Sequence, residues 1–284
     1  MIGQVRTPMR KATCRMAMTG LSRPLAFSTL GCPGASVEEI CALAEHSGWR
    51  GVELRVSGEE SVHIGLDADR RASVRSVFEL AGVPVVCLAS YVRLGKPDIS
   101  DDDCAADLLA HLQLARDLGA AGVRVFPGAG ESTAVADARM VRRLLMVADA
   151  FAAADVAVLL ETHDSHRGAA DVARVLAQVD HPAVAAIWDI LHTWLAGETP
   201  EFSCERLASR LHHVQLKNVA SRTDLTPTRL SSGILPVSDV LAALDSIGYQ
   251  GWLSLEWERR WHPAAEPLPV ALDDARAWLQ YTAR

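Results

Sequence analysis

The sequence predicts an α/β protein folded as a single (β/α)8 TIM barrel. Three observations predict it. Short apolar runs alternate with helix-length stretches from Pro24 to the end of the chain, the pattern of parallel strands joined by crossover helices. A glycine signature recurs before strands, as Gly48-Trp49-Arg50-Gly51-Val52, Gly119-Ala120-Ala121-Gly122-Val123 and Gly248-Tyr249-Gln250-Gly251-Trp252. Its first glycine suits a left-handed helix cap and its second opens a strand. Finally, four apolar runs in the second half pass directly into polar residues, at Glu161, Asp189, Lys217 and Glu256. A barrel carries its active site at those C-terminal strand ends.

Taken in order, residues 1–22 stand apart, with Arg6, Arg10, Lys11 and Arg15 and no acidic residue before Glu38. The expectation there is an N-terminal extension, disordered or translated upstream of a start at Met16 or Met18, with the barrel domain covering 23–284. Residues 25–28 read as strand one, and Ser36-Val37-Glu38-Glu39 is a capping box opening a helix that ends near Gly48. Strand two is 51–54, a helix covers 67–81 and strand three 83–88. A helix with an acidic first turn covers 101–118, as its dipole favours. Strand four is 122–126 and an alanine-rich helix covers 137–154. The strands ending at Glu161, Asp189, Lys217 and Glu256 complete eight, with helices near 169–179, 203–210, 238–247 and 269–281. No glycine-rich nucleotide fingerprint follows strand one, which argues against an open nucleotide-binding sheet.

The 284 residues are 49% hydrophobic and 22% charged, enough for one large core rather than a disordered chain. A net charge of −7 argues against a nucleic-acid partner and for small molecules. The six cysteines are scattered without a C-x-x-C pair, which fits a reducing cytoplasm. No apolar run of about 18 residues could span a membrane. Barrels of this size often form homo-oligomers, but no interface is identifiable.

Glu161, Asp189 and Glu256 would bring three carboxylates around one axis, where repulsion is relieved by a proton or a divalent cation. Oxygen ligands suit Mn²⁺ or Mg²⁺, and a histidine in the set leaves Co²⁺ or Zn²⁺ open.

The order Glu161…Asp189-x-x-His192…His213-x-Gln215-x-Lys217…Gly248-Tyr249-x-Gly251…Glu256 resembles the xylose isomerase-like TIM-barrel superfamily, in particular its sugar phosphate isomerase/epimerase group. The resemblance runs from about Pro24 onward and is most specific in the second half. It implies one divalent metal, Mn²⁺ first, held by Glu161, Asp189, a strand-seven residue and Glu256. It also implies His192 as a contact to substrate or to the ligands, and Glu161 and Glu256, reaching a bound substrate from different strands, suit the catalytic pair.

The family's strand-seven motif is His-x-His-x-Lys, and this chain has Gln215 at the second histidine. Gln215 shares a strand face with His213, whereas His212 points away. Three outcomes are open: Gln215 ligates through its amide oxygen and makes an all-oxygen site, His213 reaches in from one layer lower, or the site is weakened. His163 is a further contact at the mouth, and Lys217 either holds a substrate oxyanion or is solvated. Trp257 and Trp261, in the loop after strand eight, either cover the pocket or pack. Glu53, Arg55, His63 and Tyr91 lie at earlier strand ends and can shape specificity.

The expected function is a metal-dependent isomerase or epimerase on a sugar or polyol ketone, working through an enediolate. Elimination from the same enolate, in a dehydratase or keto-glycoside lyase, is the alternative, and an accessory subunit with a degenerate site is a second.

Overall fold

The structure is a computed structural model and describes residues 23–282, so the expected N-terminal extension lies outside the described residues. Eight parallel strands close into one barrel in sequence order, β1 pairing with β8. They are β1 (Leu25–Ser28), β2 (Gly51–Arg55), β3 (Val85–Arg93), β4 (Gly122–Phe126), β5 (Ala157–Glu161), β6 (Val184–Asp189), β7 (Leu211–Leu216) and β8 (Trp252–Leu255). The surrounding helices are α1 (Val37–Ser47), α2 (Ala68–Ala81), α3 (Asp101–Leu118), α4 (Ala134–Ala153), α5 (Ala169–Val179), α6 (Ile190–Leu195), α7 (Pro200–Leu207), α8 (Val237–Ser246) and α9 (Leu268–Thr282).

Local chemistry sets these bounds. The Ser36/Glu39 capping box is present, and Asp67, Ser100, Thr133 and Thr199 each accept from a first-turn N–H of their helix. The Thr133 cap starts α4 three residues before the sequence suggested, and Thr199 with Pro200 starts α7 earlier as well. β3 runs on to Arg93, past the expected end at residue 88. β7 and β8 stop one residue short, which leaves Lys217 and Glu256 just beyond the sheet. α6 was not expected and follows β6 without a loop.

The glycine signature does two jobs. Gly48, Gly119 and Gly248 all have positive φ, between 65° and 71°. The second glycine makes room in the wall: a Cβ at Gly122 would lie 2.5 Å from Leu159 Cδ1. Most of the core lies between strands and helices, while Cys87, Leu159 and Ile187 form a small separate cluster. Among the described residues, no helix is long and apolar enough to cross a membrane.

Candidate active site

Alternate residues of a barrel strand face the lumen, and the register aligns Asp189 with Gln215 and Gln215 with Ser254. Glu161, Asp189, Gln215 and Glu256 are all buried where their strands end. Asp189 closes β6 and caps α6, its Oδ1 accepting from the Leu191 N–H at 2.8 Å. The Thr162 hydroxyl accepts the Asp189 N–H at 2.9 Å. With the rest of Asp189 fixed, Oδ2 faces the Lys217 ammonium at 2.8 Å. The same ammonium contacts Glu256 Oε2, and Glu258 Oε1 at 2.7 Å. Burial opposes the Lys217 charge, but Asp189, Glu256 and Glu258 outweigh it and raise its pKa well above the ordinary value.

A second cation was missed in the sequence. Arg124, buried in β4, places Nη1 3.3 Å from Glu161 Oε2 and 3.9 Å from Glu256 Oε1. Its Nη2 donates to the Ser90 carbonyl at 2.9 Å, and the guanidinium lies 4.1 Å from the Phe126 ring centre. The signal was available: an arginine between Val123 and Val125, in a strand buried on both faces, has only the lumen to point into.

Acid still exceeds base around these two cations. Burial, reinforced by Glu161 and Asp189, pushes Glu256 up to about 8 against the pull of Lys217. Glu161 is raised too, by burial first and Asp189 as well, against Arg124 and His163. Glu161 Oε2 and Asp189 Oδ2 accept no hydrogen bond beyond their ion contacts, and Gln215 Oε1 has no partner. One partnerless amide oxygen and two carboxylate oxygens with only ion contacts, on three neighbouring strands with excess negative charge, fit a divalent cation. A second donor grouping shares Glu161: it lies with His163 and His192, one ligand atom from each, all within 4.8 Å.

The two imidazoles lie against each other at the β5–β6 side, ring centres 4.0 Å apart and planes tilted by 54°. His163 Nε2 is 3.9 Å from Glu161 Oε1 and its Nδ1 is 2.9 Å from Asp164 Oδ1. Burial lowers the pKa of His163, but Asp164 and Glu161 outweigh it and the net shift is upward. His192 Nε2 lies 3.7 Å from Asp189 Oδ2. Burial foremost, then His163 and Lys217, drives His192 down to about 4 despite Asp189.

One layer lower, Glu53 Oε2 meets His213 Nε2 at 3.2 Å and accepts from Gln215 Nε2 at 3.1 Å. Burial opposes the Glu53 charge, but His213, the Ser254 hydroxyl and Arg124 together hold its pKa at about 2. His213 therefore turns to Glu53 and makes no contact with the three carboxylates above. Trp257 is buried with its indole N–H on the Glu266 carbonyl, so it packs beneath the loop and offers the pocket no polar group. Trp261 is exposed, with the Arg55 guanidinium 5.6 Å from its ring centre. Arg55 also donates to the Tyr91 hydroxyl at 2.8 Å, and with His63 these two line an open cleft of about 440 Å³.

Residues 41–282 match the family model described as the xylose isomerase-like TIM barrel. The chain belongs to that family. A curated relative, 3-dehydroshikimate dehydratase of Bacillus anthracis, is 28% identical over 137 residues, 41% of this chain and 48% of that protein. The chain thus spans about half the length of the curated relative it matches. Among solved structures, the probable 3-DHS dehydratase of Bacillus anthracis superposes with a TM-score of 0.76 at 19% identity, over 90% of this chain and 98% of that one. The 3-keto-D-glucoside 4-epimerase of E. coli gives 0.72 at 18%, over 91% and 99%. The IOLI protein with a zinc atom gives 0.75 at 13%, over 92% and 98%. At these identities the superpositions show the shared fold alone.

Proposed function

We propose that this chain is a divalent-metal-dependent enzyme that removes the proton next to a carbonyl in a polyhydroxylated small molecule, and that loss of water follows. The observation that carries the reading is the partnerless amide oxygen of Gln215, together with Glu161 Oε2 and Asp189 Oδ2, which have only ion contacts, amid surplus carboxylate charge. Glu161, Asp189, Gln215 and Glu256 are the residues that would hold the cation. When bound, it supplies Lewis-acid stabilisation of the negative charge that develops on a carbonyl oxygen.

The chain's own groups divide the remaining work. Lys217, held between Asp189 and Glu256, presents a fixed positive charge to a substrate oxygen. Arg124, Phe126 and the strand walls close the floor against water. His163 and His192, adjacent to Glu161, take the α-proton and return a proton to the leaving hydroxyl. The C–H and C–O bonds break, a C=C bond forms and water departs. Both imidazoles stand on one side of the site, which suits removal of hydrogen and hydroxyl from one face. The similarity to a 3-dehydroshikimate dehydratase supports that outcome and names the first substrate to try.

Epimerisation or isomerisation of a keto-sugar is the second reading. It is favoured by Glu161 and Glu256 both reaching the Arg124 Nη1, as two glutamates sharing one centre. Incubation of the Mn²⁺-loaded chain in heavy water with 3-dehydroshikimate and with keto-sugars separates the two. Elimination gives an ultraviolet-absorbing unsaturated product that chelation and His163→Ala abolish. Deuterium in recovered substrate without unsaturation supports epimerisation, and neither signal on any substrate rejects the proton-abstraction reading.

A further inference from the structure

We infer that Glu53, with His213 behind it, fixes the direction of the Gln215 side-chain amide and thereby sets which cation the site accepts. The inference rests on Gln215 being a ligand. An amide has a donor end and an acceptor end of nearly equal size, and only its neighbours decide which faces the mouth. Gln215 Nε2 faces two carboxylate oxygens, Glu53 Oε2 at 3.1 Å and Glu256 Oε1 at 3.4 Å. Turned over, the amide would set its oxygen against the Glu53 carboxylate oxygen in a fully buried position. Oε1 is therefore the end left without a partner.

Glu53 enforces this because an ionised carboxylate only accepts. Its own place is secured by His213, whose Nε2 lies 3.2 Å from the same Oε2 and whose Nδ1 is 2.9 Å from His212 Nδ1. Glu53 and His213 are both fully buried, so neither carboxylate nor imidazole has water as an alternative partner. With its amide nitrogen held by Glu53, Gln215 keeps its oxygen free to complete an all-oxygen donor set with Glu161, Asp189 and Glu256. Such a set favours Mn²⁺ or Mg²⁺ over Zn²⁺, which gains more from imidazole nitrogen. Glu53 is a positioning residue, acting from β2 through Gln215 on β7.

The test is calorimetric titration of Mn²⁺ and of Zn²⁺ into the metal-stripped full chain, unaltered and as Glu53→Gln, Gln215→Ala and the two combined. A glutamine at 53 can donate or accept, so the direction of Gln215 is no longer imposed. Mn²⁺ binding should weaken roughly 10–100-fold, the usual effect of removing an outer-shell partner, with Zn²⁺ less affected. In the Gln215→Ala background Glu53→Gln should add nothing, since no amide remains to be directed. A swapped pair, Glu53→Gln with Gln215→Glu, reverses the hydrogen bond and still turns an oxygen toward the site, so it should bind Mn²⁺ at least as tightly as the unaltered chain. Failure of the swapped pair, unchanged Mn²⁺ affinity in Glu53→Gln, or equal losses in both backgrounds would each overturn the orientation argument alone. Absence of Mn²⁺ binding in the unaltered chain would overturn it together with the metal reading.

Discussion

His166→Ala is expected to loosen the loop that carries His163. His166 is fully buried after β5, with Nδ1 2.9 Å from Ser165 Oγ and Nε2 2.8 Å from Asp137 Oδ1 on α4. Asp137 in turn accepts from Arg174 Nε on α5 at 2.6 Å, and the His166 backbone N–H donates to the His163 carbonyl at 2.9 Å. One imidazole thus ties the mouth of β5 to two helices. Removing it loses one hydrogen bond to an ionised acceptor, about 1.5–3 kcal/mol, and one to a hydroxyl, about 0.5–1.5 kcal/mol. Asp137 keeps Arg174, so no buried charge is orphaned, and the sum is about 3 kcal/mol. In urea, where slopes are about 1–3 kcal/mol per molar, the midpoint should fall by about 1 M or more. Turnover should fall as His163 loses its fixed position, while Mn²⁺ affinity holds because Glu161 belongs to the strand rather than the loop. A midpoint equal to that of the unaltered chain would refute the reasoning.

Two further outcomes follow from the charges around Lys217 and Asp101. Lys217→Met should tighten Mn²⁺ binding while lowering turnover, because an ammonium 2.8 Å from Asp189 Oδ2 competes with any second cation there; weaker binding by calorimetry would mean that the lysine orders the ligands instead. At Asp101 on α3, Arg142 and then Arg143 hold the carboxyl at about 2, below its ordinary 3.8. A carboxyl whose folded pKa is depressed adds stability that is present above the unfolded pKa and lost as pH falls through the folded one. Asp101→Asn should therefore flatten the decline of the urea midpoint between about pH 4 and pH 2, and an unchanged slope there would count against the pairing.

Much of the barrel was legible because its signals are local. Capping at Ser36 and the glycines at 48, 119 and 248 depend on a few neighbouring residues, and each takes the expected conformation. The candidate site was legible where one residue at a strand end carries the information, as at Glu161, Asp189 and Glu256. It was opaque where the partner comes from across the lumen. Nothing near Glu53 in the sequence announces that it meets Gln215, which is 162 residues away. From the sequence, a proton or a divalent cation was expected to relieve the carboxylate repulsion, whereas Arg124 and Lys217 already meet part of it. α6 was missed because Asp189 reads as a strand end and serves equally as a helix cap. Its carboxylate gives one oxygen to each role.

The closed order of strands has a consequence for how such a molecule can be recombined. The residues put forward as ligands all come from β5 to β8 or the residue just after, whereas Glu53 and Arg124, which touch them, come from β2 and β4. On the proposed ligand set, the second half of the chain would carry the chemistry and the first half its tuning. A hybrid that joined residues 157–282 of this chain to the first half of another family member would inherit the donors intact. It would also inherit a different hand on the Gln215 amide and a different countercharge beneath Glu161. Metal preference in such hybrids should then follow the half that supplies none of the ligands.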